Sequence, residues 1–469
     1  MKLDEEQFER SLPPQKMTLR ERLEDIRIRL KGDGVGATVA RGASATFVAR
    51  VVGMFVGFGL SVVLARILGA TDYGTYVYAL SWLLLIALAS QLGLRDSIIR
   101  FAAAAYSQAD WGQLRGMTRF SNRWTLSISL CVLPVAAGLL WVLSDSLAPS
   151  LVRTLASGLI LIPVLGLVGV KCAQLVALGR PVYSTISDLV ARPTALLFGI
   201  VVAYLMLGPG FSPATVMRIT VGAAVFTLLL CLYFVRISTP TEARRAEPVT
   251  DRKVEWRNVA LSIFLLSAMN LINTRADVLM IGGMLGTTEV GLYSAANRYA
   301  QFLPFPLYAI NSLAAPMIAS LWAEGRREEI QRIVSLGALA IGGIAIPAAV
   351  LLIVAGRPLL EVYGSEFVGG YDALVWLSIG QLGTALGGSV VQLMTMTGYH
   401  RFAARMMAAS AVVNLTLNFL LIPRYGITGA GIATATSIVL VNLGMVVFVR
   451  RRLGFDPTLF GFIRRARLR

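Results

Sequence analysis

Histidine is almost absent from this chain: His400 is the single one among 469 residues. One imidazole in an expected loop supports neither a metal-ligand set nor a nucleophile–base pair. Cysteine is scarce too. Cys131, Cys172 and Cys231 all fall inside apolar runs, without CxxC spacing or an even count. They read as small core residues, not as a disulfide or metal framework. Charged residues make up only 15% of the chain and hydrophobic ones 56%, with a mean hydropathy of +0.69. No stretch between apolar runs is long enough to house a soluble domain, so the class is a polytopic membrane protein. No GxxxxGK[ST] loop is present, which excludes ATP hydrolysis by that motif. Acid pairs, Ser/His sets and metal-ligand clusters are missing as well, and nothing points to an enzyme or a cofactor.

Twelve apolar runs are present, at roughly 44–66, 76–97, 121–143, 152–177, 182–207, 215–236, 258–283, 291–318, 331–355, 371–397, 403–422 and 427–449. Each approaches the ~20 residues that a helix needs to cross the hydrocarbon core. The formal charge of +17 suggests nucleic acid in a soluble protein, but its placement argues otherwise here. Most Lys and Arg residues fall in the two tails and the even-numbered loops. The opposite side holds only Arg66, Arg153, Arg218, Arg357 and Arg424. By the positive-inside rule both termini are expected in the cytosol. Before the first run, Leu19, Leu23, Ile26 and Leu30 share one helical stripe, which suits a helix lying on the membrane surface or a disordered tail.

The chain repeats itself. Gly69, Thr71, Asp72, Gly74, Tyr76 and Ala79 correspond to Gly286, Thr288, Glu289, Gly291, Tyr293 and Ala296, each pair 217 positions apart. Gly179-Arg180 echoes Gly398-Tyr399-His400-Arg401 in the same way. Six crossings return a chain to its starting side, so the halves are parallel repeats. The expected fold is therefore all-α, with about twelve transmembrane helices in two six-helix repeats around a central cavity. The divisions are a tail (1–43), an N-terminal lobe (44–236), a cytosolic linker (237–257), a C-terminal lobe (258–449) and a basic tail (450–469). Asp72 and Glu289 are expected to cap the helices after the repeated turn.

Charges inside apolar runs mark function, because each costs ~2.5–3.5 kcal/mol at the bilayer centre on insertion scales. Asn270, Asn273 and Asp277 share one face of the seventh helix, and Arg275 points elsewhere, toward the cavity. Arg298 on the eighth helix lies at a depth that would pair it with Asp277. In the first half, Asp188 and Arg192 are spaced i, i+4 for a pair, and Lys171 is expected to meet Asp188. Arg50 has no acidic neighbour in sequence. Arg50, Arg275, Arg298, Asn270 and Asn273 are thus the candidate cavity residues for an anionic substrate. Asp277, Asp188, Arg192 and Lys171 are the candidates for coupling or gating.

Three stretches resemble polysaccharide-type flippases of the multidrug/oligosaccharidyl-lipid/polysaccharide exporter superfamily: RGASATFVARVVGMFVGFGLSVVLARILGATDYGTYVYA, NTRADVLMIGGMLGTTEVGLYSAANR and NFLLIPRYGITGAGIATATS. The resemblance runs from about residue 40 to 450. It implies two six-helix lobes whose cavity opens alternately to each side of a prokaryotic cytoplasmic membrane. It also implies transfer of a polyprenyl pyrophosphate-linked oligo- or polysaccharide from the cytosolic to the outer leaflet. No nucleic acid is implied; the partners are that substrate, membrane lipid, H+ or Na+ as coupling ion, and glycan-assembly proteins. Two extra helices carried by some relatives have no counterpart here, which points away from the lipid II subgroup. The alternatives are a cation-coupled multidrug exporter, which would favour an acidic cavity, and a membrane glycan polymerase or ligase, which would favour a long outer loop.

Overall fold

A computed structural model of the chain describes residues 35–208, 211–249 and 251–458. The stripe from Leu19 to Leu30 and the end of the basic tail lie outside the described residues. The first half comprises α1 (Val35–Gln91), α2 (Leu94–Ser107), α3 (Trp111–Val142), α4 (Pro149–Gly158), α5 (Leu161–Ala177), α6 (Pro181–Thr185), α7 (Arg192–Leu207) and α8 (Pro213–Ser238). A short helix in the linker, α9 (Thr241–Arg245), is followed by α10 (Lys253–Met284), α11 (Thr287–Ala300), α12 (Phe305–Ala323), α13 (Arg327–Val354) and α14 (Gly356–Glu361). The last elements are α15 (Tyr371–Leu386), α16 (Val390–Met396) and α17 (His400–Phe448).

Among the described residues, six helices are long and apolar enough to cross a membrane, and two bent pairs, α4 with α5 and the segment through α15 with α16, raise that to eight. Two of the six double back on themselves. Gly69 interrupts α1 with φ 73° and ψ 174°, and Gly426 interrupts α17 with φ 60° and ψ −142°. A positive φ with extended ψ is open to glycine at little cost and ends a helix abruptly. The arms of α17 then run antiparallel, with Asn414 bonded to Thr434 and Ser410 to Ser437. Adding the more polar α10 and the joined α11–α12 gives twelve passes, in agreement with the twelve apolar runs.

The same glycines carry the repeat into the backbone. Gly69 and Gly286, Gly208 and Gly426, and Gly179 and Gly398 are equivalent pairs, and all six have positive φ. The repeat is thus a repeat of turns.

The acids at the repeated turn do not act as expected. No side chain caps α11 at Gly286, although Glu289 sits in its first turn, where an acid suits the helix dipole. At the break in α1, the Ala70 N–H donates to Glu366 Oε1 of the other half at 2.8 Å. The cap is supplied across the lobes, not by Asp72.

This cross-lobe cap belongs to a continuous seal at one end of the molecule. Gly74 lies so close to α11 that an added Cβ would meet the Thr287 carbonyl oxygen at 1.7 Å, and one at Gly291 would meet that of Ala70 at 2.2 Å. Thr287 and Ala70 are equivalent positions, so the two contacts are related by the pseudo-twofold axis. Small residues at such crossings let backbones approach where lipid supplies no hydrophobic drive between helices. Ser61 shares a 2.7 Å hydrogen bond with Tyr363, and Arg66 donates to the Val362 and Glu361 carbonyls. Phe58, Tyr299 and Tyr363 add edge-on ring contacts and Tyr363 with Phe367 a tilted one, each worth ~0.5–1.5 kcal/mol beyond burial. The largest buried cluster draws on both halves here.

The opposite end, which carries the basic loops and the linker, is closed on one flank only. Along that flank α10 presses on the junction of α1 and α2, where a Cβ on Gly93 would meet the Ala260 carbonyl oxygen at 2.0 Å. Ser267 donates to Asp96 across the same contact. On the other flank the lobes part.

Candidate substrate cavity

Where the lobes part, a cavity of about 1050 Å³ opens between the first arm of α1, the α5–α6 turn and the start of α12. Its position follows from local structure. Pro193 removes a backbone donor from the fifth span, and the chain relaxes into a π-helical turn over Ile186–Ala191, a usual response to such a break. The turn seats Leu189 on Gly53, where a Cβ would come within 2.5 Å of the Leu189 carbonyl oxygen. Arg50, Arg180, Tyr183 and Leu189 line one side, and Phe305 and Tyr308 of the second half line the other. Phe47 stacks on Phe305, ring centroids 5.6 Å apart, at the rim. Among the described residues the lining has two cations, no acid, and mostly apolar walls.

Deeper between the lobes lies a second group of cations. Arg298 is within electrostatic reach of the Tyr73, Tyr76 and Tyr363 hydroxyls and of Arg275. Arg192 reaches Tyr76 from the first lobe. Two guanidinium groups, one from each half, are therefore near Tyr76, and a third, Arg275, is near Arg298. Arg192 is paired with Asp188, whose Oδ1 is 3.2 Å away. Such an arrangement suits a polyanionic group better than a neutral or cationic one.

The structure sorts the candidates. Arg50 lines the large cavity. Arg275, Arg298, Asn270 and Asn273 do not; Asn270 is exposed and Asn273 half-buried. Asp188 and Arg192 form the expected ion pair. Lys171 does not meet Asp188. Its ammonium donates to Gln174 Oε1 at 3.1 Å and faces a separate, smaller cavity, because α5 turns that side of the helix toward α3. Cys172 and Cys231 are buried with sulfurs 3.7 Å apart, whereas Cys131 is exposed and is no core residue.

Asp277 and Arg298 are not paired either. Asp277 is enclosed within the second lobe, where Tyr293 donates to Oδ2 at 2.6 Å, Thr434 to Oδ2 at 2.7 Å and Asn418 to Oδ1 at 2.7 Å. Asn414 links the set by donating to Thr434 and accepting from Asn418. Three donors on one buried carboxylate satisfy its anionic form without a cation. The first lobe has no counterpart. Leu60 occupies the position equivalent to Asp277, and Tyr76, equivalent to Tyr293, shares a bond with Thr220 instead. Sequence reasoning missed Tyr293, Asn418, Thr434 and Glu366. Only Tyr293 carried a signal, its recurrence in the repeat.

The chain was compared with known proteins. A family model described as polysaccharide biosynthesis protein matches residues 39–322, and a second, MatE, matches residues 259–420. A probable flippase, AglR of Haloferax volcanii, is 30% identical over 177 residues, covering 37% of either chain. A probable low-salt glycan biosynthesis flippase of the same organism, Agl15, is 28% identical over 197 residues, 40% of this chain and 41% of its own. This chain thus spans about two fifths of the length of the curated relatives it matches. Among solved structures, an inward-facing multidrug resistance MATE family transporter of the MOP superfamily superposes with TM-score 0.68 at 13% identity, over 87% of this chain and 98% of that one. The lipid II flippase MurJ in an inward closed conformation gives TM-score 0.66 at 13% identity, over 88% and 87%. At such identities these likenesses concern the fold.

Proposed function

The chain belongs to the family of polysaccharide biosynthesis proteins, and on that premise we propose that it is a flippase for a lipid-linked glycan. The substrate is a polyprenyl pyrophosphate-linked oligo- or polysaccharide unit, carried from the cytosolic to the outer leaflet of a prokaryotic cytoplasmic membrane. The observation that carries this reading is the cavity of about 1050 Å³ between the lobes, cationic at Arg50 and Arg180 and otherwise largely apolar.

The basic loops support a cytosolic position for this cavity and for both termini. The pyrophosphate enters past Arg50, and the apolar rim where Phe47 of α1 stacks on Phe305 of α12 leaves the polyprenyl tail in lipid. Farther in, Arg298, Arg275 and Arg192 offer the next cationic station. Transport requires the seal at Thr71, Gly74, Thr288 and Gly291 to part while the basic end closes, an exchange of two packed arrangements by rocking of the lobes. Asp277 is the coupling carboxylate for H+ or Na+, since it joins α10, α11 and both arms of α17 and its protonation would free one of its donors. Glycan-assembly proteins supply and consume the substrate. A multidrug exporter with cationic cargo fits the cationic lining poorly.

The test is leaflet exchange in liposomes with purified protein and a polyprenyl pyrophosphate oligosaccharide. A membrane-impermeant sugar-modifying reagent is expected to reach the inner-leaflet pool only when protein is present. Access equal to that of empty liposomes, with cationic drugs transported by the same preparation, would move the assignment to the multidrug branch.

A further inference from the structure

The smaller cavity, about 280 Å³, lies outside the path between the lobes, at the basic end of the first lobe. Three segments build it: the first turns of α3, the last turns of α5, and the end of α8 with the linker helix α9. Among the described residues four cations line it, Arg115, Arg119, Lys171 and Arg244, and no acid does. Lys171, at the floor, is 9% exposed. It spends one donor on Gln174, whose amide in turn donates to Asn122 at 3.4 Å. Arg115 donates to the linker backbone at Ala246 and Arg244 to the α8 backbone at Arg236, while Arg119 is exposed at the rim. Leu114, Leu178 and Val235 add aliphatic wall, and Thr118 and Thr239 add hydroxyls.

A nearly buried ammonium with three guanidinium groups around it and no carboxylate among them lacks its counter-charge. The pocket sits where helices end and headgroups begin, with hydrocarbon beside the cations. A soluble anion would use only the cations; a membrane lipid would use both. We propose that this pocket binds the phosphate group of an anionic membrane lipid of the inner leaflet. Occupancy ties the linker, through Arg244, to α3 and α5, so the lipid bridges the first lobe and the segment leading to the second.

The test needs no transport assay, so its result is independent of the flippase reading. Full-length protein is reconstituted in nanodiscs of phosphatidylcholine with phosphatidylglycerol, released, and weighed with its retained lipids by native mass spectrometry. The wild type is expected to retain phosphatidylglycerol over phosphatidylcholine about five- to tenfold. Arg119→Gln, exposed and safe for folding, and Lys171→Gln are expected to abolish that preference, while Arg153→Gln, at the other end of the first lobe, keeps it. Equal retention of both lipids by the wild type, or an unchanged preference in Arg119→Gln, would overturn the proposal. Displacement of the lipid by equimolar inorganic phosphate would overturn the lipid as the source of the phosphate.

Discussion

Thr71 and Thr288 share a hydrogen bond of 2.8 Å across the junction of the two lobes. They are equivalent positions of the repeat, 217 residues apart, so the contact lies at the pseudo-twofold axis. Beside it, Gly74 and Gly291 bring the backbones together. Under the proposed rocking of the lobes, this junction opens once in every transport cycle.

Replacing both threonines to give T71C/T288C, in a chain where Cys131, Cys172 and Cys231 are changed to Ala, is expected to yield a disulfide on mild oxidation. Leaflet exchange should stop with the lobes locked and return with reductant. Gel mobility and the exchange assay read the two outcomes. Oxidation without any loss of exchange would mean that the junction does not part.

Gly74→Ala places a methyl group against the Thr287 carbonyl oxygen, where a Cβ would lie at 1.7 Å. Overpacking of this kind costs about 1–3 kcal/mol, and the cost falls on the sealed state alone. A single cysteine at Thr71 should then react faster with an impermeant thiol reagent from the outer side. Gly57→Ala, where a Cβ meets open space, serves as the control with no change.

At the carboxylate hub, Asp277→Asn places an amide among donors meant for an anion, and Tyr293→Phe removes one donor. Removing a partner from a charged hydrogen bond costs about 1.5–3 kcal/mol. Both variants should unfold at lower temperature, Asp277→Asn by more. If Asp277 couples an ion to transport, Asp277→Asn also loses the dependence of exchange on an imposed ion gradient, which mere destabilisation would leave in place.

Neutralising the substrate path should separate binding from folding. Arg50→Gln and Arg298→Gln alter exposed side chains and are expected to leave the melting temperature within a degree or two, about the range of surface changes. Exchange of a pyrophosphate-linked substrate should fall about tenfold or more in each. Normal exchange in both would remove the cationic path.

The C-terminal strap has its own pH dependence. Burial acts on Asp456 to raise its pKa, but bonds from Thr458 and Arg450 outweigh it and hold the carboxyl below its usual value. A depressed folded value means stability present above the ordinary carboxylate range and lost as pH falls through the folded value. The strap is anchored by Gln331, which bonds the Asp456 backbone in both directions. Amide exchange around residues 450–458 should therefore quicken below about pH 4, and in Asp456→Asn at neutral pH.

Much of this was written in the order of residues. Lipid demands a run of apolar residues for each pass, which made the twelve spans countable. A backbone at positive φ is costly for residues other than glycine, so the repeat could be read from Gly69 and Gly286 before their conformations were known. The Asp188–Arg192 pair was equally legible, because a helix fixes the distance between i and i+4. Family membership followed from the same stretches.

The tertiary structure decided which charges meet. Position along a helix gives depth in the membrane but not rotation about the helix axis or the identity of the neighbour. Depth alone paired Arg298 with Asp277 and Lys171 with Asp188, and both pairings failed. Two of the three partners of Asp277 lie 141 and 157 positions away, at Asn418 and Thr434, and are neutral residues that no charge pattern singles out. Glu366 caps the break in α1 from 296 positions away. Each of these contacts exists because packing of the lobes brought distant helices to one place, and that packing is a property of the whole chain.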